Sequence, residues 1–249
     1  MRTGDEANGL RRGGTIVVLT GAGISKESGI DTFRDADGLW SKVNVEDVAT
    51  IERWHRDKKT VLDFSNERRA AFRSANIVPN AAHHALGRLQ REWPGEVALV
   101  TQNIDLLHEA GGASRVMHMH GRGGLVRCMA CGTVRESDAD LFTHSRCADC
   151  GAIGELRPHI VWFGEMPLYM DEITAALERC DLFVSIGTSG TVYPAAGFIQ
   201  IVRRRRPSAR TIELNLEPSD GHSLFGETIY GPATEIVPAF VERLLSTAA

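Results

Sequence analysis

The chain has 249 residues, 43% hydrophobic and 24% charged, enough to bury a large core as one domain with a small satellite. Its formal net charge of −4 argues against indiscriminate binding to a phosphate backbone, so no nucleic acid partner is expected. No apolar run approaches the ~20 residues that span a bilayer, and the N-terminus lacks a signal-like segment, so a soluble protein of the cytoplasm, away from membranes, is expected.

In chain order, "TIVVLT" (15–20) reads as a buried strand and leads into Gly21-x-Gly23. A dinucleotide fingerprint wants a third glycine where Lys26 stands, and the next glycine is Gly29. A polar stretch with aromatic residues follows from about 35 to 75. Helical periodicity appears in "NAAHHALGRLQREW" (80–93), then strands in "VALVTQN" (97–103) and "RVMHMHG" (115–121). Beyond a cysteine-bearing segment, "MDEITAALERC" (170–180) reads as helix, "DLFVSIGT" (181–188) and "RTIELNLE" (210–217) as strands, and "ATEIVPAFVERLLS" (233–246) as helix. The arginines 203–206 read as a solvated helix C-terminus, where cations complement the dipole.

Strands alternating with helices predict the α/β class: a Rossmann-like, mostly parallel sheet with helices on both faces. Two segments break the rhythm and read as a small zinc-ribbon and helical insertion module. The expected division is a Rossmann-like nucleotide-binding domain from 1–34, 76–120 and 159–249, a helical insertion at 35–75 and a zinc-binding module at 121–158.

Cys128-x-x-Cys131 and Cys147-x-x-Cys150 are separated by fifteen residues. Two such pairs bring four thiolates to the corners of a tetrahedron, which predicts one structural Zn2+ per chain with no open coordination position. Cys180, at the entry to an apolar strand, reads as a buried small hydrophobe.

Open parallel sheets bind ligands beyond the carboxyl ends of their strands. The residues there form a set: Gly21, Ala22 and Gly23; Gln102, Asn103, Ile104 and Asp105; His120 and Gly121; Gly187, Thr188 and Ser189; and Asn215, Leu216 and Glu217. Small residues admit phosphate to backbone amides, and the polar groups suit ribose or amide. Taken together they point to a nucleotide lying across the sheet edge.

The motifs "GAGISKESGIDTFRD", "TQNIDLLHEAGG", "HMHG", the two CxxC pairs, "RPHIVWFGE", "GTSGTVYPAA" and "LNLE" resemble, in order from about Thr15 to Ala233, the sirtuin family of NAD-dependent protein deacylases. In that family the first glycine turn opens into a long loop over the cofactor, so no third fingerprint glycine is needed. The resemblance implies that NAD is consumed as a co-substrate. It places the diphosphate on Ala22, Gly23, Thr188 and Ser189, counts Gly21 and Gly187 among the cofactor-binding residues, and puts Phe33 and Arg34 in the cofactor loop. It directs Gln102, Asn103 and Asp105 at the nicotinamide ribose and carboxamide, and Asn215 and Glu217 at the adenosine ribose, with Ile104, Leu216 and Ala233 also among the cofactor-binding residues. His120 matches the general base, with Asn103 and Asp105 beside it in the catalytic set.

The implied chemistry starts with attack by the acyl oxygen of a modified lysine on the ribose carbon that carries nicotinamide. The 2′-hydroxyl then attacks the resulting imidate, and His120, with an ordinary pKa of about 6.5, takes up the proton. The acyl group leaves on ADP-ribose. Val161, Phe163, Gly164 and Glu165 match the strand that pairs with an acyl-lysine protein or peptide. The relatives nearest by resemblance are the desuccinylase-type class III enzymes, which carry a tyrosine and, three residues later, an arginine. Arg68 matches that arginine, whereas Ser65 stands at the tyrosine position. A guanidinium there would pair with a succinyl or malonyl carboxylate, but serine cannot reach as far. The alternative is an ADP-ribosyltransferase or NAD hydrolase with the same cofactor residues. The chain does not specify an oligomeric state, and a monomer is compatible with it.

Overall fold

The structure is a computed structural model that describes residues 13–30, 44–74 and 76–248. In chain order its strands and helices are β1 (Ile16–Thr20), α1 (Ile51–Arg56), α2 (Lys58–Ser74), α3 (Ala81–Glu92), β2 (Val97–Thr101), α4 (Leu107–Ala110), β3 (Val116–His118), β4 (Gly121–Cys128), β5 (Val134–Glu136), β6 (Leu156–Ile160), α5 (Met170–Glu178), β7 (Leu182–Ile186), α6 (Phe198–Arg205), β8 (Arg210–Asn215), β9 (Glu227–Tyr230) and α7 (Ala233–Ala248). They divide into two compact units, one of Met1–Thr32, Val78–Met119 and Tyr169–Ala249, the other of Phe33–Ile77 and His120–Leu168.

The first unit is built on a parallel sheet of order β3-β2-β1-β7-β8-β9. This is the doubly wound order, with its switch point between β1 and β7. Successive side chains of a strand point to opposite faces, which explains why the strands are apolar throughout. Ile16, Val18, Leu99, Val184 and Ile212 pack under α3 and α7. Val17, Leu19, Ala98, Val100 and Phe183 pack under α5 and α6. Cys180 is fully buried in that second layer.

Local chemistry fixes the ends of the elements. Asn80 caps α3 by accepting from the Ala82 amide at 3.0 Å, while its own amide donates to His83 Nδ1 at 3.2 Å. The helix then buries Ala82, Ala85, Leu86 and Leu89, one stripe at helical spacing. The arginine run ends α6 as expected: Arg206 donates to the Cys180 carbonyl and pairs with Asp181 at 2.6 Å, Arg203 donates to the Leu224 carbonyl, and Arg205 lies 3.5 Å from Glu178. Most of that cationic charge is therefore engaged within the fold.

The second unit holds an antiparallel sheet of order β5-β4-β6. Trp54, Val61, Leu62, Val126, Leu141 and Trp162 form its core. The helical and cysteine-bearing insertions are one body, because α2 is stitched to the cysteine segment. Asn66 donates to the Leu141 carbonyl at 2.8 Å and accepts from the Leu141 amide at 2.9 Å. Lys58 pairs with Glu155 at 2.6 Å, Arg69 donates to the Ser137 carbonyl, and Arg73 pairs with Asp140 at 2.9 Å.

Two expectations differ from what is observed. The expected boundary at 158/159 falls inside β6, whose Ile160 pairs with Gly121, so the compact units divide at 168/169. The regular strand also stops at Ile160; within 161–165 only Phe163 makes a bridge, to Thr50, followed by a turn at Gly164. Ion pairing is the reason. Glu165 folds back to accept from the Trp162 amide at 2.8 Å and from both terminal nitrogens of buried Arg157 at 2.7 and 2.9 Å, while the guanidinium stacks 3.2 Å from the centre of the Trp162 ring.

Candidate functional site

At the switch point two glycine turns cross in backbone contact. Gly21 N donates to the Ile186 carbonyl and Gly23 N to the Gly187 carbonyl, both at 3.0 Å. A Cβ on Gly23 would lie 2.7 Å from Gly187 Cα, and one on Gly187 would lie 2.5 Å from Ile24 N, in a backbone with φ +62° that side chains disfavour. Each turn thus needs its glycine for the other, while Lys26, at the third fingerprint position, is exposed. Residues 22–28 continue as a 3-10 helix. Glu27 of that helix caps α7 by accepting from the Thr234 amide at 3.0 Å and its hydroxyl at 2.6 Å.

The turn after β2 is held from several sides. Asn103, 3% exposed, donates its amide hydrogens to the Gly21 carbonyl at 3.1 Å and to Ser25 Oγ at 3.2 Å. Its backbone amide donates to Thr101 Oγ1 at 3.1 Å. Both amide hydrogens are spent inside the protein, which leaves Oδ1 as the polar atom Asn103 can offer a ligand. Asp105 divides its oxygens: Oδ1 accepts from the Leu107 amide at 3.0 Å at the start of α4, and Oδ2 accepts from Ser25 Oγ at 3.1 Å. Burial raises its pKa, against the lowering effect of those two bonds and of His118.

Behind the turn lie two fully buried histidines that the sequence reading did not assign. His83 Nδ1 accepts from Asn80, so Nε2 carries the hydrogen and faces Ser25 Oγ at 3.4 Å. Thr20 spends its hydroxyl hydrogen on Thr101, so it accepts from His108 Nε2 at 2.9 Å. Desolvation, with smaller contributions from neighbouring histidines, holds His83 at about 4 and His108 at about 3, so both rings are neutral. The signal was a histidine on the apolar stripe of "NAAHHALG", a polar ring at a core position.

These depressed values predict an acid-sensitive fold. Below about pH 6.5 the unfolded chain protonates both rings while the folded one does not, so stability is lost as pH falls from 6.5 towards 4 and 3. At pH 5 the loss is roughly 2 kcal/mol per histidine. Thermal midpoints measured from pH 7.5 to 5 should fall, and His83→Asn should show a shallower fall than the parent. An equal slope in both proteins would remove His83 from this role.

The remaining first-unit residues lie at neighbouring strand ends. Thr188 is buried, its Oγ1 2.8 Å from Ser185 Oγ, whereas Ser189 is exposed and bonds Thr191. Asn215 donates to the Thr188 carbonyl at 2.9 Å and accepts from the Leu216 amide at 3.0 Å, tying the ends of β7 and β8 together. Leu216 and Glu217 are exposed; Gln102, Ile104 and Ala233 are half-buried. Phe33 and Arg34 lie outside the described residues.

In the second unit, half-buried His120 accepts at its carbonyl from the Val161 amide at 2.8 Å, joining the end of β6 to the start of β4. Phe163 and Gly164 are exposed and Val161 is half-buried. On α2, the Ser65 hydroxyl turns back to donate to the Val61 carbonyl at 2.7 Å. Half-buried Arg68 has no hydrogen bond or ion pair to another described residue, unlike Arg69 and Arg73 beside it.

The four cysteine sulfurs lie within 4.8 Å of one another, with Cys128 to Cys150 at 3.8 Å and Cys131 to Cys147 at 3.9 Å. Four sulfurs at about 2.3 Å from one tetrahedral zinc would be about 3.8 Å apart, so the cluster fits a structural zinc. The four cysteines would fill all four positions of such an ion.

The sheet order, the crossed glycine turns and the four-thiolate cluster define an α/β protein of the nucleotide-binding type with a zinc module. The Sir2 family profile matches residues 21–194. A protein of Vibrio vulnificus (strain YJ016) named NAD-dependent protein deacylase is 55% identical over 231 residues, 93% of this chain and 94% of the relative. A solved Sir2 homolog–NAD complex is similar with a TM-score of 0.82 at 35% identity, over 94% of this chain and 90% of that one. A Sir2 variant solved with a deacetylated p53 peptide and 3′-O-acetyl ADP-ribose gives a TM-score of 0.77 at 27% identity, over 92% and 93%. The chain belongs to the Sir2 family.

Proposed function

We infer that this protein removes acyl groups from lysine side chains of proteins, consuming NAD and releasing nicotinamide, O-acyl-ADP-ribose and free lysine. The observation that carries this reading is the doubly wound sheet with glycine turns crossed at its switch point, in a chain 55% identical to a named NAD-dependent protein deacylase. Zinc is structural. In this reading the crossed turns, with Thr188 and Ser189, receive the diphosphate, Gln102 to Asp105 orient the nicotinamide ribose, and Asn215 to Glu217 hold the adenosine end. His120 takes the proton from the attacking ribose hydroxyl. Among the described residues no helix is long and apolar enough to cross a membrane, and we place the enzyme in the cytoplasm.

Acyl-lysine peptides incubated with NAD and read by mass spectrometry test the function. O-acyl-ADP-ribose equal to the free lysine formed is the expected result. ADP-ribose on protein or free in solution, without loss of acyl groups, would show a transferase or NAD hydrolase instead.

For acyl preference we propose a relaxed enzyme, slower on succinyl-lysine than tyrosine-bearing relatives. The Ser65 hydroxyl is spent on the Val61 carbonyl, whereas Arg68 spends no donor on another described residue. A hydrogen bond to a carboxylate contributes about 1.5–3 kcal/mol, so Ser65→Tyr should raise the succinyl-to-acetyl ratio of kcat/KM about 10-fold or more. Arg68→Met should lower it. If neither ratio moves, Arg68 takes no part in acyl recognition.

A further inference from the structure

His118 stands at the end of β3, 4% exposed, and its ring contacts two acceptors. Nδ1 lies 3.0 Å from the backbone carbonyl of Asn103, and Nε2 lies 2.8 Å from Glu109 Oε1. A carbonyl cannot donate, so Nδ1 must carry a hydrogen for that contact to be attractive. Whichever of Nε2 and Oε1 holds the second proton, the Nδ1–H points at Asn103. The ring is thus locked between α4 and the turn after β2, with Glu109 gripping its far side.

The consequence lies in the peptide group that follows Asn103. The Asn103 backbone amide is fixed by Thr101 and its side-chain amide hydrogens by Gly21 and Ser25, so the carbonyl is the remaining backbone polar group of the residue, and His118 supplies its donor. A buried carbonyl without a donor is costly, and rotating the 103–104 peptide to find water would carry Ile104 and Asp105 with it. We propose that His118, braced by Glu109, is a positioning residue that sets the Gln102–Asp105 turn for the nicotinamide ribose. The effect on NAD rests on the function proposed above; the clamp itself rests only on the fold. Asp105 is also within the electrostatic reach of this pair, His118 favouring and Glu109 opposing its charged form.

Two near-isosteres separate positioning from bulk. Asparagine places its amide nitrogen where Nδ1 stands, whereas glutamine places its own near Nε2. His118→Asn should keep the bond to Asn103, and His118→Gln should keep only the bond to Glu109. The expected result is a KM for NAD about 10-fold higher in His118→Gln than in His118→Asn, the size of one lost hydrogen bond, with kcat changed less. Amide hydrogen exchange at residues 104–107 should be faster in His118→Gln and near parental in His118→Asn. Equal exchange and equal KM in two folded variants would overturn the proposal. If either variant fails to fold, Glu109→Gln takes its place, with faster exchange at 104–107 expected and unchanged exchange contrary. A parent without NAD-dependent deacylation would instead refute the proposed function, and the exchange comparison would still decide the clamp.

Discussion

Replacing His120 by alanine should lower deacylation about 10²- to 10⁴-fold, the range for loss of a general base, while the Kd for NAD stays within a few-fold. The asymmetry follows from where the residue acts. A base lowers the barrier for attack by the ribose hydroxyl, a step after the cofactor is bound. Binding is assigned to many other groups: the crossed turns at Gly23 and Gly187, the Gln102–Asp105 turn, and Asn215 tied to Thr188. Single-turnover kinetics with an acetyl-lysine peptide, alongside calorimetric titration of NAD, separate the two. Turnover equal to the parent would remove His120 from the mechanism, and a large loss of NAD affinity would make it a binding residue.

Metal analysis should find one zinc per chain, and stripping it should unfold the second unit. Structural zinc contributes on the order of 10–16 kcal/mol of apparent folding free energy in small zinc-bound peptides, far more than the small core around Trp54, Leu141 and Trp162 can replace. Without the metal, no bond draws the four sulfurs together within 4.8 Å, and the turns holding them would open. Hydrogen exchange after chelation should therefore rise first in residues 128–150. Activity should fall with it and return when zinc or cobalt is restored, with the same pH profile for either metal. A pH profile that changed with the metal would mean that a metal-bound water takes part, contrary to a shell closed by four sulfurs.

Much of this was legible in the linear chain, for physical reasons that differ by segment. The strands 16–20, 97–101 and 182–186 announce themselves because a parallel strand covered on both faces must be apolar throughout. The zinc site was readable because CxxC spacing is a local property of the turns that present the thiolates. The stretch 161–165 was not: its apolar letters suggest a strand, but the Arg157–Glu165 pair and the stacked Trp162 bend it into a turn. The boundary at 168/169 was missed because pairing between β4 and β6 joins residues far apart in sequence.

The sequence by itself determined the class of fold, the four cysteines that cluster in a way that fits zinc, and the family, since these rest on periodicity, short spacing and ordered motifs. Only the tertiary structure decided that Ser25, Asn103, Asp105, His83 and His118 form a buried network around one turn. It alone turned the Ser65 hydroxyl back onto its helix, and it alone paired Gly23 with Gly187. Hydrogen-bond partners and backbone crossings are set by atoms that converge from distant parts of the chain, and local sequence carries no record of which ones meet.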